Sequence, residues 1–216
     1  IGSGLTSKAS REKLGDNLRN LGIKNKDIIK LITNVPRHLF IETSLANRAY
    51  ENVSLPIGFK QTISQPYMVA KMTELLHENQ SMENVLEIGT GCGYQTSILS
   101  MLFKKVTTIE RIGSLYNQSK KRLADMGFKN ISCVLGDGYL GYENNSPYDA
   151  IIITAAANTM PEKLIEQLTP NGRIVLPLKT NQNQKLVKLK KTKNGIVKKI
   201  IEDVVFVPML EGIENI

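Results

Sequence analysis

The sequence predicts a doubly wound α/β fold: a mostly parallel seven-stranded sheet, an N-terminal helical extension and a C-terminal β-hairpin. Three observations predict it. From Val85 onward, short β-branched runs alternate with helix-compatible segments, the pattern of a parallel sheet covered by helices on both faces. Val85-Leu86-Glu87-Ile88 runs into Gly89-Thr90-Gly91-Cys92-Gly93-Tyr94, a strand, a tight glycine turn and a helix start. Lysines alternate with apolar residues on both sides of Asn194-Gly195, a hairpin signal. At 216 residues the chain suits one sizeable core and is short for two. One domain over residues 1–216 is expected, with a helical and extended cap (1–66), a ligand-binding core (67–178) and terminal strands (179–216).

Leu14, Leu18 and Leu21 mark a short amphipathic helix, and Ile28, Ile29 and Ile32 a second one running toward Pro36. Residues 46–66 show no strong period and contain Pro56, Gly58 and Pro66, so an extended connection carrying part of the site is expected. Met68, Met72, Leu75 and Leu76 form a helical stripe facing the core. The alternation then predicts strands at 85–88, 106–109, 131–135, 149–154 and 172–177. Helices are predicted at 94–103, 114–126 and 161–168, and the terminal hairpin follows.

Composition narrows the class. With 41% hydrophobic and 22% charged residues the chain reads as globular. No apolar run approaches the length of a membrane span. The opening Ile1-Gly2-Ser3-Gly4-Leu5-Thr6-Ser7 lacks the basic and apolar regions of a signal peptide. Cys92 and Cys133 form neither a disulfide framework nor a metal spacing, so no metal and a reducing cytoplasm are expected. Cys92 reads as a small loop filler. The net charge of +8 is concentrated in Lys185 to Lys199. We read it as the polar outer face of the hairpin protecting a sheet edge, with nucleic acid not expected as a partner.

The spacing at the glycine turn is G-x-G-x-G, not the G-x-G-x-x-G of dinucleotide sites, and Glu87 precedes it by two positions. That favours S-adenosylmethionine, a cationic ligand, over a pyrophosphate. Val106-Thr107-Thr108-Ile109-Glu110 reads as a strand ending in a carboxylate, about 20 residues on, able to accept from a ribose diol. Ile131 to Leu135 ends in Gly136-Asp137-Gly138, where Asp137 is placed to accept from the adenine amine. The cofactor set is therefore Glu87, Gly89, Thr90, Gly91, Gly93, Glu110, Asp137 and Gly138.

With these residues in place, the chain resembles the protein-L-isoaspartate O-methyltransferases, class I S-adenosylmethionine-dependent enzymes with a Rossmann-like sheet. The resemblance is carried by Val35-Pro36-Arg37-His38-Leu39-Phe40, Leu55-Pro56-Ile57-Gly58, Gln61-Thr62-Ile63-Ser64-Gln65-Pro66, the glycine loop, Gly136-Asp137-Gly138, Tyr148 to Ala156 and Phe206-Val207-Pro208. It implies methylation of the free α-carboxylate of L-isoaspartyl residues in damaged proteins and peptides, a repair reaction, by a monomer. It also implies Ser64 as the active-site serine orienting the substrate carboxylate, Thr62 and Ile63 shaping its pocket, and Val207 lining the peptide groove. Ser64 also suits an N-cap on the helix beginning near Pro66. Lys60 and Asn52 depart from residues frequent in the family.

A carboxylate acceptor is ionised at neutral pH, so the chemistry needs no general base. His38 then reads as structural and His77 as facing solvent at a helix end. The alternative is another class I methyltransferase acting on RNA or a small molecule. Amino-methylating enzymes need an Asn/Asp-Pro-Pro-aromatic cluster after the fourth strand, and here that position reads Thr154-Ala155-Ala156-Ala157-Asn158.

Overall fold

The computed structural model describes residues 4–77 and 83–215, the side chain of Leu5 apart, so the start of the opening segment, Ile1-Gly2-Ser3, lies outside the described residues. The cap comprises α1 (Lys8–Asn20), α2 (Lys26–Asn34), β1 (Leu55–Gly58) and β2 (Gln61–Ile63), and α3 (Pro66–Leu76) leads from it into the central part. The central part follows as β3 (Asn84–Ile88), α4 (Tyr94–Ser100), β4 (Lys105–Glu110), α5 (Gly113–Asp125), β5 (Ile131–Leu135), β6 (Tyr148–Ile153) and α6 (Glu162–Glu166). The chain closes with β7 (Leu168–Lys179), β8 (Gln184–Thr192) and β9 (Gly195–Val204).

Seven strands form one sheet in the order β5-β4-β3-β6-β7-β8-β9. The first five are parallel to their neighbours, and β8 and β9 are antiparallel. The chain enters at β3, winds out through β4 to β5, then returns to the far side of β3 with β6. The ends of β3 and β6 are thus a topological switch point, where such sheets open a crevice for ligands.

Burial explains why these runs are strands. Val85, Val106, Ala150, Ile152 and Val175 face Met72 and Leu76 of α3 and Leu99 of α4. On the opposite face Leu86, Ile88, Ile109, Ile151 and Ile153 pack on Leu164 and Ile165 of α6. A sheet covered twice needs apolar residues at successive positions, and each buried Ile or Leu contributes about 1.5–3 kcal/mol. Leu14, Leu18, Ile28, Ile29 and Ile32 pack with Val69, Ala70 and Ile98, which fastens the cap to α3 and α4. Asn25 Oδ1 accepts the N–H groups of Asp27 and Ile28 at 3.0 and 3.1 Å, starting α2 sharply.

Several predicted boundaries shift for identifiable reasons. The 46–66 connection is not merely extended: β1 and β2 form a hairpin turned by Phe59 and Lys60, at φ 51° and 57°. The helix predicted to reach 103 ends at Ser100, because Met101 and Leu102 donate three residues back and tighten the last turn. The helix predicted over 161–168 spans only Glu162–Glu166, because Gln167 O already accepts Tyr148 N–H at 2.8 Å and Leu168 enters the sheet. The lysine-bearing strand β8 is not an edge. It lies between β7 and β9, with Lys188 only 9% exposed, and β9 carries the exposed edge with Lys198 and Lys199. Among the described residues no helix is long and apolar enough to cross a membrane.

Candidate active site

A cavity opens at the carboxyl ends of β3, β4 and β6. The glycine loop from Gly89 to Cys92 forms one wall, Glu110 to Ile112 another, and Thr62, Ile63 and Ser64 close it from the cap. Two glycines are dictated by close approach. At Gly89 (φ +92°) a Cβ would lie 2.4 Å from Thr154 Oγ1. That hydroxyl is held by one proton shared between the carbonyls of Gly89 and Ile88, at 2.8 and 3.0 Å. At Gly138 a Cβ would lie 2.3 Å from Ile88 Cγ2, so no side chain fits there.

Glu110 ends β4 with its carboxylate in the cavity wall, 5% exposed. Oε2 accepts the N–H of Gly91 at 2.8 Å, and Oε1 accepts those of Arg111 and Ile112 at 2.9 and 3.0 Å. Of about four lone-pair sites on a carboxylate, three are used and one on Oε2 is left. The rotamer is thereby fixed with an acceptor to spare. Gly91 and Thr90 line the same cavity. Gly93, at φ +89°, is the N-cap of α4 and is not itself in the lining, although its neighbours Cys92 and Tyr94 are.

Two acids sit differently from the sequence expectation. Glu87 does not line the cavity: it is wholly buried beneath the loop, where Oε2 accepts from Thr96 and Thr108 hydroxyls at 2.5 and 2.6 Å. The alternation of a strand explains this, since Glu87 points to the face covered by α3 and α4, beside Val85. Asp137 also lies outside the lining, although Gly138 is in it. Asp137 Oδ1 accepts Tyr139 N–H at 2.9 Å and Oδ2 accepts Gly212 N–H at 2.8 Å, tying the C-terminal tail down over the ends of β4 and β5.

A second cavity joins the first, sharing Thr62, Ser64, Thr154 and Val207. Ser64 stands at the junction. It is not a helix cap: the N-cap of α3 is Gln65, and Tyr67 N–H is accepted by Asn52 Oδ1 at 2.9 Å. Among the described residues the Ser64 hydroxyl has no partner. Val207 is set by its carbonyl, which accepts Ala156 N–H at 2.8 Å, while the Gln184 amide pairs with both backbone groups of Phe206 at 2.7 and 3.0 Å.

The histidines are engaged elsewhere. His38 Nδ1 is 2.7 Å from the Tyr50 hydroxyl, and His77 is half-buried against Asn25 Nδ2 at 3.3 Å, not turned fully to solvent. Cys92 is buried in the loop, and burial pushes its thiol up. Sequence reasoning missed Gln95, Thr154, Met209 and Leu210 as lining residues. Thr154, at the end of the fourth parallel strand, could have been found from the switch-point rule. The tail residues carry no period that would mark them.

The donor set fits an adenosyl sulfonium. Ile88, Ile109, Ile112 and Met209 supply an apolar slot, and Glu110 an acceptor at the strand end. The one cation among the described lining residues, Arg111, is drawn into an ion pair with Glu214 at 2.7 Å, leaving no uncompensated positive charge to repel the ligand. A glycine loop and strand-end acid at the switch point of such a sheet mark a class I S-adenosylmethionine-dependent methyltransferase. The profile of the protein-L-isoaspartate(D-aspartate) O-methyltransferase family matches residues 9–214, and the chain belongs to that family. The protein-L-isoaspartate O-methyltransferase of Pseudomonas paraeruginosa is 44% identical over 208 residues, covering 96% of this chain and 99% of that one. The Nitrosomonas eutropha enzyme is 44% identical over 216 residues, covering 99% and 97%. A solved protein-L-isoaspartate O-methyltransferase superposes with TM-score 0.83 at 28% identity, over 94% of this chain and 67% of that one. A Plasmodium falciparum structure, described as a complex with S-adenosyl-L-homocysteine, superposes at 0.79 with 25% identity, over 93% and 98%.

Proposed function

We propose that this chain transfers the methyl group of S-adenosylmethionine to the free α-carboxylate of L-isoaspartyl residues in damaged proteins and peptides, by the arrangement that follows. The observation that carries the arrangement is the unpartnered Ser64 hydroxyl where the loop-lined cavity meets the second cavity. Bound in the first cavity, the cofactor supplies an electrophilic methyl on a sulfonium. Gly89, Thr90 and Gly91 bring backbone close to its amino-acid part, Gly93 sets the start of α4, Glu110 accepts from the ribose, and Gly138 leaves room for the adenine. Glu87 and Asp137 act from behind, one under the loop and the other on the tail.

Ser64 donates to one oxygen of the substrate carboxylate and aims the other at the methyl. Thr62, Ile63 and Val207 shape the opening. Because the acceptor is already ionised, rate comes from alignment and exclusion of water, not from proton transfer. The engaged histidines suit this. The groove supports a peptide partner, and nucleic acid has no role in this reading. A monomer working in the cytoplasm completes it. Transfer of labelled methyl to an isoaspartyl peptide, without added RNA or DNA and as a base-labile ester, tests the proposal. Transfer only when nucleic acid is added would refute it.

A further inference from the structure

Glu87 is fully buried, yet its Oε1 has no hydrogen-bond partner among the described residues. Its Oε2 takes the protons of both Thr96 and Thr108. A hydroxyl has one proton to give. With the carboxyl ionised, the proton of Thr108 is committed to Glu87, and the 2.6 Å contact between Thr108 Oγ1 and Thr90 Oγ1 has to be donated by Thr90. Thr90 lines the cofactor cavity, so its proton points inward and its lone pairs face the ligand. The buried acid therefore sets the direction of the relay above it, and the cavity presents an acceptor.

Resting on the cofactor reading above, we infer that Glu87 is a positioning residue that, through Thr108 and Thr90, makes the site favour the sulfonium cofactor over its demethylated, uncharged-sulfur product. A cation in the cavity stabilises the ionised carboxyl, and loss of the methyl removes that charge. Burial pushes Glu87 up to about 8, opposed by the Thr108 and Thr96 hydroxyls and assisted by the charge of Glu110. The other titratable group that feels it is Cys133 on β5. Neighbouring β6 places Ile152 beside it and α4 places Thr96, neither of which titrates. In the empty protein at neutral pH the carboxyl is mostly protonated, and a cationic ligand displaces that proton to solvent.

Calorimetric titration of the wild-type protein with S-adenosylmethionine and with S-adenosylhomocysteine, at neutral pH in two buffers of different ionisation enthalpy, counts the protons. Net proton release with the first ligand and clearly less with the second is expected. From about pH 6.5 to about pH 9 the affinity ratio of the two should rise several-fold in the wild type. It should stay flat relative to that in Glu87→Gln, which retains the ligands' own amine titration, and in Thr108→Val, which cuts the relay. Equal proton release with both ligands, or one pH profile shared by all three proteins, overturns the inference. If the variants do not fold, the wild-type proton count decides alone. Binding of neither ligand removes the cofactor reading and this inference with it, whereas binding of both without the difference removes this inference only.

Discussion

The backbone N–H of Gly91 donates to Glu110 Oε2 at 2.8 Å, so the acid at the end of β4 and the loop after β3 form one unit. The same carboxylate also holds Arg111 and Ile112, which begin the turn into α5. A residue that the sequence assigns to the ribose is thus also the clasp of the loop. Cofactor affinity and loop stability are coupled through it.

Glu110→Ala is expected to weaken S-adenosylmethionine binding by about 1–3 kcal/mol and to lower the melting temperature of the free protein as well. Calorimetry and a thermal melt read the two effects separately. Unchanged affinity would contradict the ribose assignment.

Ser64→Ala should lower turnover on isoaspartyl peptide, leave cofactor affinity nearly unchanged, and alter stability by no more than about 0.5 kcal/mol. Asn52→Ala, which removes the acceptor for Tyr67 N–H at the start of α3, should instead cost about 0.5–2 kcal/mol of stability. Chemical denaturation of both variants, with kcat for the first, separates the roles. A Ser64 variant that loses stability and activity together would point to a structural serine.

Burial raises Glu87 from 4.5 to about 8, so between those values the folded protein binds more protons than the unfolded chain. Stability of the empty protein should therefore fall as pH rises from about 4.5 to about 8, by up to ~1.4 kcal/mol per unit from this group, and level off above. Denaturant midpoints across that range should slope in the wild type and less so in Glu87→Gln. Equal slopes would mean the carboxyl is ionised throughout.

Lys60 occupies the left-handed region at φ 57° in the turn between β1 and β2, a conformation that glycine adopts without cost. Lys60→Gly should stabilise the protein by about 1 kcal/mol, measured as a higher denaturant midpoint with unchanged slope. A lower midpoint would show that the lysine side chain contributes contacts beyond its backbone strain.

Much of this was legible in the sequence because parallel strands buried on both faces leave continuous apolar runs, as in Ile151-Ile152-Ile153. The glycine loop and Glu110 could be placed because close backbone approach permits few residue types. Which way an acid points was not legible: Glu87 and Asp137 stand at the expected positions along their strands but aim at Thr96, Thr108, Tyr139 and Gly212. The β1–β2 hairpin was hidden because its turn uses Phe59 and Lys60 where a turn signal would be Asn-Gly. The tail residues Met209 and Leu210 reach the cavity only through long-range tethers such as Gly212 N–H to Asp137.

In the proposed arrangement a free α-carboxylate of an isoaspartyl residue sits at the junction marked by Ser64. A normal aspartyl residue presents its carboxylate about one bond out of line, and a misplacement of about 1 Å can cost a factor of ~100 in rate. The most direct measurement is labelled methyl transfer to paired peptides differing only in Asp versus isoAsp, followed to kcat and KM separately. Turnover on the isoaspartyl peptide at least ~100-fold above its aspartyl twin, with the difference appearing in kcat as well as KM, is the predicted result. Comparable turnover on both peptides would mean that Ser64 does not mark the place of an isoaspartyl α-carboxylate.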